Sequence, residues 1–317
     1  MSRRAWWAFA FMSLVWGGSY LLIKIAVDGG LPAADVAWLR VAIAAVLLCA
    51  IAWRGFATLR GRWGWILAFA VAEISIPFPL IAAGEVHVAS SLAAIIIASV
   101  PLIVTVLSLR FDPSERPTPL RALGLVIGFT GVIALVGIDV AGNGAELLGA
   151  VAIFVAAVGY AIGPMIVKLG LDGLDSRAVI GAALLIATVI LAPFAALQTP
   201  SRTPTIGAFA AVATLGALCT AVAFVVYTLL IREAGTSRAT VITYINPLVA
   251  VVLGVTLLGE RPGPGALAGL LLILAGSWLS TGGRIPPRTR WIGRSTSRTE
   301  QPIEAGGRGS TVGSSGA

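Results

Sequence analysis

Ten apolar stretches follow one another along the chain, at roughly 5–26, 34–53, 63–83, 88–109, 119–138, 147–168, 178–197, 206–231, 238–258 and 264–281. Each is long enough, at about 20 residues, for a helix to cross the ~30 Å hydrocarbon core of a bilayer. Polar residues collect in the short turns between them, and 122–138 contains no charged residue at all. Apolar positions do not alternate with period two, so the spans read as helices rather than barrel strands. The pattern predicts an all-α integral membrane protein of ten transmembrane helices. From Gly282 the chain turns to Arg, Ser, Thr and Gly, and 282–317 reads as a disordered basic tail.

Composition agrees. The chain is 58% hydrophobic and 11% charged, with a mean hydropathy of +0.96, far from the balance of a soluble domain. The first span is too long, and too closely followed by the next, to be a cleaved signal peptide. Cys49 and Cys219 fall inside spans and read as small packing residues, with no disulfide, metal or cofactor implied.

The apolar pattern is also written twice. ERPTPLRALGLVIGFTG from Glu115 to Gly131 returns as ERPGPGALAGLLLILAG from Glu260 to Gly276. SSLAAIIIASVPLIVTVL from Ser90 returns, one residue out of step, as TSRATVITYINPLVAVVL from Thr236. WGGSYLLIK ending at Lys24 is echoed by YAIGPMIVK ending at Lys168. Two repeats, 5–138 and 147–281, each contain five spans. An odd number forces the second copy to enter from the opposite side, so the repeats are inverted, with a site expected between them.

Charge sets the orientation. With the N-terminus in the cytoplasm, Arg3, Arg4, Arg54, Arg60, Arg62, Arg110, Arg116, Arg121, Lys168, Arg177, Arg232, Arg238 and the tail arginines share one side, and so does the C-terminus. The other side keeps Arg202 and Arg261, with the acids Asp28, Asp35, Glu85, Asp139, Glu146 and Glu260. The net charge of +8 is therefore a topology signal and not a nucleic-acid footprint.

The ordered set of Trp16, Gly17 and Lys24, Arg40, the IPFPLIAAGEVHVASSLAAIIIASVPL block, and Pro-Leu followed by Glu-Arg-Pro in each half resembles the EamA family of the drug/metabolite transporter superfamily. The resemblance spans 5–281. It implies a ten-helix inverted repeat in a bacterial inner membrane, moving small metabolites, amino acids or drugs.

Several residues are candidates for the site. Glu73 lies about ten residues into the third span, so ~15 Å deep, where a carboxyl is costly unless it faces a cavity, a partner or a proton. It is the proton-coupling candidate, with a neutral helix-bridging acid as the alternative. Trp16, Tyr20 and Lys24 share one face of the first span at spacings of four. Lys24 and Arg40 lie toward the outer ends of their spans, where long cations snorkel to the interface; the alternative is capture of a substrate carboxylate or phosphate. In the ninth span Thr240, Thr243, Tyr244 and Pro247 fall on one face, with Asn246 beside them, and read as a cavity wall or as hydrogen-bonded packing. Pro77, Pro101, Pro164 and Pro247 are hinge candidates. His87, the single histidine, reads as a solvated loop residue beside Glu85.

The expectation is a secondary transporter, read as an exporter, working by alternating access on a small-molecule substrate with protons as the driver. Uncoupled exchange and flipping of a lipid-linked metabolite are the alternatives. No GxxxxGK[ST] loop is present to use ATP. Neither paired acids nor an HExxH or GxSxG motif suggests an enzyme. No ring of charge suggests a channel. Substrate identity, and whether the protein is a monomer or a homodimer, are not legible in the residues.

Overall fold

Backbone amides cannot be left unpaired in hydrocarbon, so a chain this apolar satisfies them within helices. The computed structural model describes residues 2–111, 118–140, 142–200, 202–235, 239 and 241–281. Every regular element among them is helical. The Glu115 turn, Thr240 and the tail from 282 lie outside the described residues.

Eight helices among the described residues are long and apolar enough to cross a membrane: α1 Arg3–Asp28, α2 Ala33–Leu59, α3 Trp63–Glu85, α4 Ser90–Phe111, α5 Pro119–Val140, α6 Gly144–Leu171, α7 Ser176–Leu197 and α8 Ile206–Ala234; two shorter apolar helices, α9 Ile242–Leu258 and α10 Pro264–Ser280, complete the bundle. The last two are 17 residues long, about 26 Å at 1.5 Å per residue.

Contacts obey the inverted two-fold. α1 packs on α9 as α6 packs on α4, α8 on α1 as α3 on α6, and α2 on α8 as α7 on α3. The pairs α2–α7 and α5–α10 join equivalent helices of the two repeats. The α5–α10 seam depends on absent side chains. A Cβ at Gly276 would overlap the backbone of Gly128, and one at Gly131 would lie 2.8 Å from Leu272 Cβ. Small residues let such helices approach to backbone contact, where dispersion replaces the hydrophobic drive that lipid cannot supply.

Two faces result. The near face carries the N-terminus, where Ser2 donates to Glu233 at 2.5 Å. Exposed Trp6, Trp7, Trp53, Trp63 and Trp65 ring this face together with the arginines of the flanks, as amphipathic rings do at a membrane interface. On the far face the α1–α2 and α7–α8 turns join through Thr205 N to Gly29 O at 2.9 Å and Arg202 to the Asp28 carbonyl. Also there, Asp139 ends α5 by accepting from Gly265 N and Ala266 N, the free amides at the start of α10.

Six helices among the described residues depart from α geometry along part of their length: α2 ends in a 3-10 segment at Trp53–Leu59, α5 and α6 end in π turns at Val136–Val140 and Val167–Leu171, and three more depart further inside. α3 passes through a π segment at Val71–Ser75, closed by Ile76 N to Val71 O at 3.0 Å just before Pro77. α8 has one at Ala217–Val222. α4 breaks at Ala98–Ser99, where Ser99 N turns back to Ile96 O ahead of Pro101, which has no amide to continue the ladder. Pro164 and Pro247 lie inside helices that run on through them.

Candidate functional site

The π segments re-aim side chains into the middle of the bundle. In α3 the turn presents Glu73 to α6. Its carboxyl lies over the bare Cα of Gly163, where a Cβ would overlap Oε2. Oε2 is buried with no hydrogen-bond partner among the described residues. One turn before Gly163, Gly159 admits α3 itself, since a Cβ there would meet Pro77 Cγ at 2.9 Å. In α8 the corresponding turn presents Thr220, which donates to Leu215 O at 2.9 Å and accepts from Arg40 Nε at 2.9 Å.

Arg40 does not snorkel. It is 8% exposed, and its guanidinium carbon stands 4.1 Å above the Phe78 ring of α3. A cation turned inward is stabilised by the ring face and by the threonine oxygen. Tyr20, Tyr160 and Glu85 all lie within electrostatic range of it. Glu73 in turn lies within range of Tyr160 and Tyr227. Trp16 meets Tyr227 at 5.0 Å and Phe224, edge-on, at 6.2 Å. Trp16, Tyr20, Arg40, Glu73, Tyr160 and Tyr227 thus form a connected cluster drawn from five helices of both repeats. All but Arg40 are half-buried.

Lys24, on the same face of α1, is held away from the cluster. Its ammonium donates to the Glu85 backbone carbonyl at 2.8 Å and pairs with Asp28 at 3.3 Å. The ninth-span candidates divide. Tyr244 turns to α10, its hydroxyl reaching Ser277 O at 3.4 Å and Thr281 Oγ1 at 3.2 Å. The backbone of α9 at Asn246 approaches α1, its main-chain carbonyl lying 2.9 Å from where a Cβ at Gly17 would be, and the buried Asn246 Oδ1 has no partner among the described residues. Thr243 is half-buried, and Thr240 lies outside the described residues.

Sequence reasoning missed Thr220, Tyr227 and Glu85. Tyr160 carried a signal, because it is the repeat counterpart of Trp16 in the two echoed segments. Glu85 reads as an outer-loop acid from its neighbours, yet it is the last residue of α3 and wholly buried, while His87 two residues on is exposed. Packing of α6 against Gly84, where a Cβ would meet Ile153 Cγ1 at 2.5 Å, draws that end of α3 into the bundle.

The profile of the EamA-like transporter family matches residues 4–137 and 147–282, once on each repeat. The chain belongs to the EamA-like transporter family. Among curated EamA-family relatives, the uncharacterized inner membrane transporter YedA of Escherichia coli is 30% identical over 262 residues, 78% of this chain and 80% of its own. A protein named as a probable terminal-alkyne amino-acid exporter, from Streptantibioticus cattleyicolor, is 29% identical over 281 residues, 87% of this chain and 93% of its own. A crystal structure superposes with a TM-score of 0.63 over 89% of this chain and 97% of that one at 21% identity, a likeness of fold alone. This EamA-family chain is thus a multi-pass membrane protein of a family of small-molecule transporters.

Proposed function

We propose that the protein is a secondary active exporter of a small metabolite, amino acid or drug, working by alternating access and driven by protons. The observation that carries this reading is Glu73. An unpaired carboxyl oxygen deep in an apolar bundle is costly as an anion and comfortable with a proton. It stands among tyrosines in a cluster built from both repeats, where a secondary transporter places its substrate and coupling ions. Arg40, with Thr220 and Phe78 fixing its fork, supplies a cationic anchor for a substrate carboxylate. Trp16, Tyr20, Tyr160 and Tyr227 supply ring faces and hydroxyls. The amino-acid exporter among the relatives supports a zwitterionic solute within the range of classes.

The two repeats, 5–138 and 147–281, are the bodies that rock, bending at the irregular turns ahead of Pro77 and Pro101 and at Pro164 and Pro247 inside continuous helices. The near face, with its arginines and tryptophans, is cytoplasmic, and so are both termini. The setting is a bacterial inner membrane.

The test uses purified protein in lipid vesicles. A thermal-shift screen against amino acids and metabolites selects a solute, and its counterflow and its accumulation under an imposed pH gradient are then measured. Wild type should accumulate the solute against its gradient, and Glu73→Gln should retain counterflow but lose proton-driven accumulation. Full proton-driven transport by Glu73→Gln would overturn the coupling role. Counterflow indifferent to the pH gradient in the wild type would make the protein an uncoupled exchanger.

A further inference from the structure

A second carboxyl group, remote from the coupling role, is built into the far face. Glu85 is 0% exposed, and neither of its carboxyl oxygens has a hydrogen-bond partner among the described residues. Lys24 is at hand, but its ammonium is committed to the Glu85 backbone carbonyl at 2.8 Å and to Asp28 at 3.3 Å.

Across the boundary between the repeats stands Glu260, in the α9–α10 turn. Its carboxylate closes the N-terminus of α4 in the other repeat. Ser90 N and Ser90 Oγ donate to Oε1 at 2.8 Å each, and Ser91 N donates to Oε2 at 3.0 Å. Burial works to raise its pKa, and the hydrogen bonds from Ser91 and Ser90 outweigh that and hold it below the usual carboxylate range. Glu260 is therefore a fixed negative charge, and Glu85 lies within electrostatic range of it. The other charged and titratable groups facing Glu85 are Tyr20, Lys24 and Asp28 from α1 and Arg40 from α2. α6 brings Gly149 and Ile153 against Gly84, and exposed His87 follows in the same turn.

We propose that Glu85 is a proton-binding site of the far-face gate: its neutral form keeps that face shut and its ionised form opens it. As the neutral acid, Glu85 lets the α3–α4 end of the first repeat, which Ser90 and Ser91 tie to Glu260, stay closed on the second. Once ionised, it places a desolvated charge at the seam along which the repeats must part: Lys24 and Arg40 favour that charge and Glu260 and Asp28 oppose it, but burial outweighs them, and separation admits the water that solvates it. The chemistry is a plain protonation: one proton from far-face water binds the carboxylate and returns to water on opening. Glu73 carries the coupled proton, whereas Glu85 sets the gate. The inference rests on the alternating-access reading above.

The test needs no substrate. Full-length protein carrying Cys49→Ala, Cys219→Ala and Gly18→Cys places one thiol in the α1–α9 seam, where a Cβ has room 3.5 Å from Leu253 Cδ1. Its maleimide labelling rate in vesicles is followed over pH and normalised to an exposed cysteine at Gly142, because thiolate content itself rises with pH. The normalised rate should rise from acid to alkaline pH by about fivefold or more, the low end of ordinary coupling between sites. Glu85→Gln should stay slow throughout. Glu85→Asp should respond with a displaced midpoint, and Glu73→Gln should respond as the parent does. Infrared difference titration in the Glu73→Gln background should show a protonated-carboxyl band that adding Glu85→Gln removes. A Glu85→Gln rate that tracks the parent, or a titrating band that survives Glu85→Gln in the Glu73→Gln background, overturns the proposal. Counterflow measured on the same vesicles reads the transporter assignment separately: a responding gate without counterflow sinks that assignment and not the proton site.

Discussion

The carboxyl of Glu73 on α3 occupies the space that a side chain at Gly163 on α6 would need. Gly163→Ala should therefore cost about 1–3 kcal/mol as overpacking and should abolish proton-driven accumulation by displacing the carboxyl. Glu73→Asp is one methylene shorter. Combined with Gly163→Ala it should recover part of the lost thermal stability, a coupling that a double-mutant cycle reads directly. Additive losses would mean that the two side chains do not share that space.

Glu260 connects stability to pH. Its folded pKa is depressed, with burial opposing and the Ser91 and Ser90 hydrogen bonds prevailing. Its contribution is thus fully present above its unfolded value and disappears as pH falls through the folded one. Glu260→Ala should lower stability by about 1 kcal/mol, the usual cost of a lost helix N-cap. The Ala variant's deficit against wild type should shrink on acidification, as followed by thermal unfolding in detergent across the carboxylate range. A deficit that is constant with pH would assign the loss to packing.

Arg40 is expected to need its fork and not merely its charge. Arg40→Lys keeps the cation but gives up the planar stack on Phe78 and the directed bond to Thr220. Transport efficiency should fall at least about tenfold, ~1.4 kcal/mol of lost interaction. Thr220→Ala leaves the guanidinium without its hydroxyl acceptor and should destabilise by about 1.5–3 kcal/mol. An Arg40→Lys protein with unchanged efficiency would remove Arg40 from the site.

Topology offers the most direct check. Thr118 and Gly263 are equivalent positions of the two repeats, and Arg261 lies in the same turn as Gly263. Thr118→Cys should be labelled by an impermeant reagent only from the cytoplasm, and Arg261→Cys only from outside. Labelling of both from one side of intact cells would contradict the inverted repeat.

Much of this was legible in the residues. Hydrophobic run length alone settles the helix count, because lipid admits no unpaired backbone. The doubled Glu-Arg-Pro segment with five spans per copy settles the inversion, by parity. Trp16, Tyr20, Arg40 and Glu73 stand out as candidates because polar and aromatic groups at depth are rare. Which of them meet was not legible. The π turns that aim Glu73 and Thr220 arise from frame shifts inside uniformly apolar helices, and nothing in the local composition announces them. Glu85 has a loop's neighbours and a core's surroundings, since the packing of other helices on that end of α3, α6 on Gly84 among them, removes it from water. Tyr244 lies on the expected helix face, yet a neighbour 33 residues on claims its hydroxyl. A one-dimensional pattern records how far each residue sits from water along its own helix, whereas contacts between helices depend on rotation and approach distance, which the glycines and π turns set only once the bundle has closed.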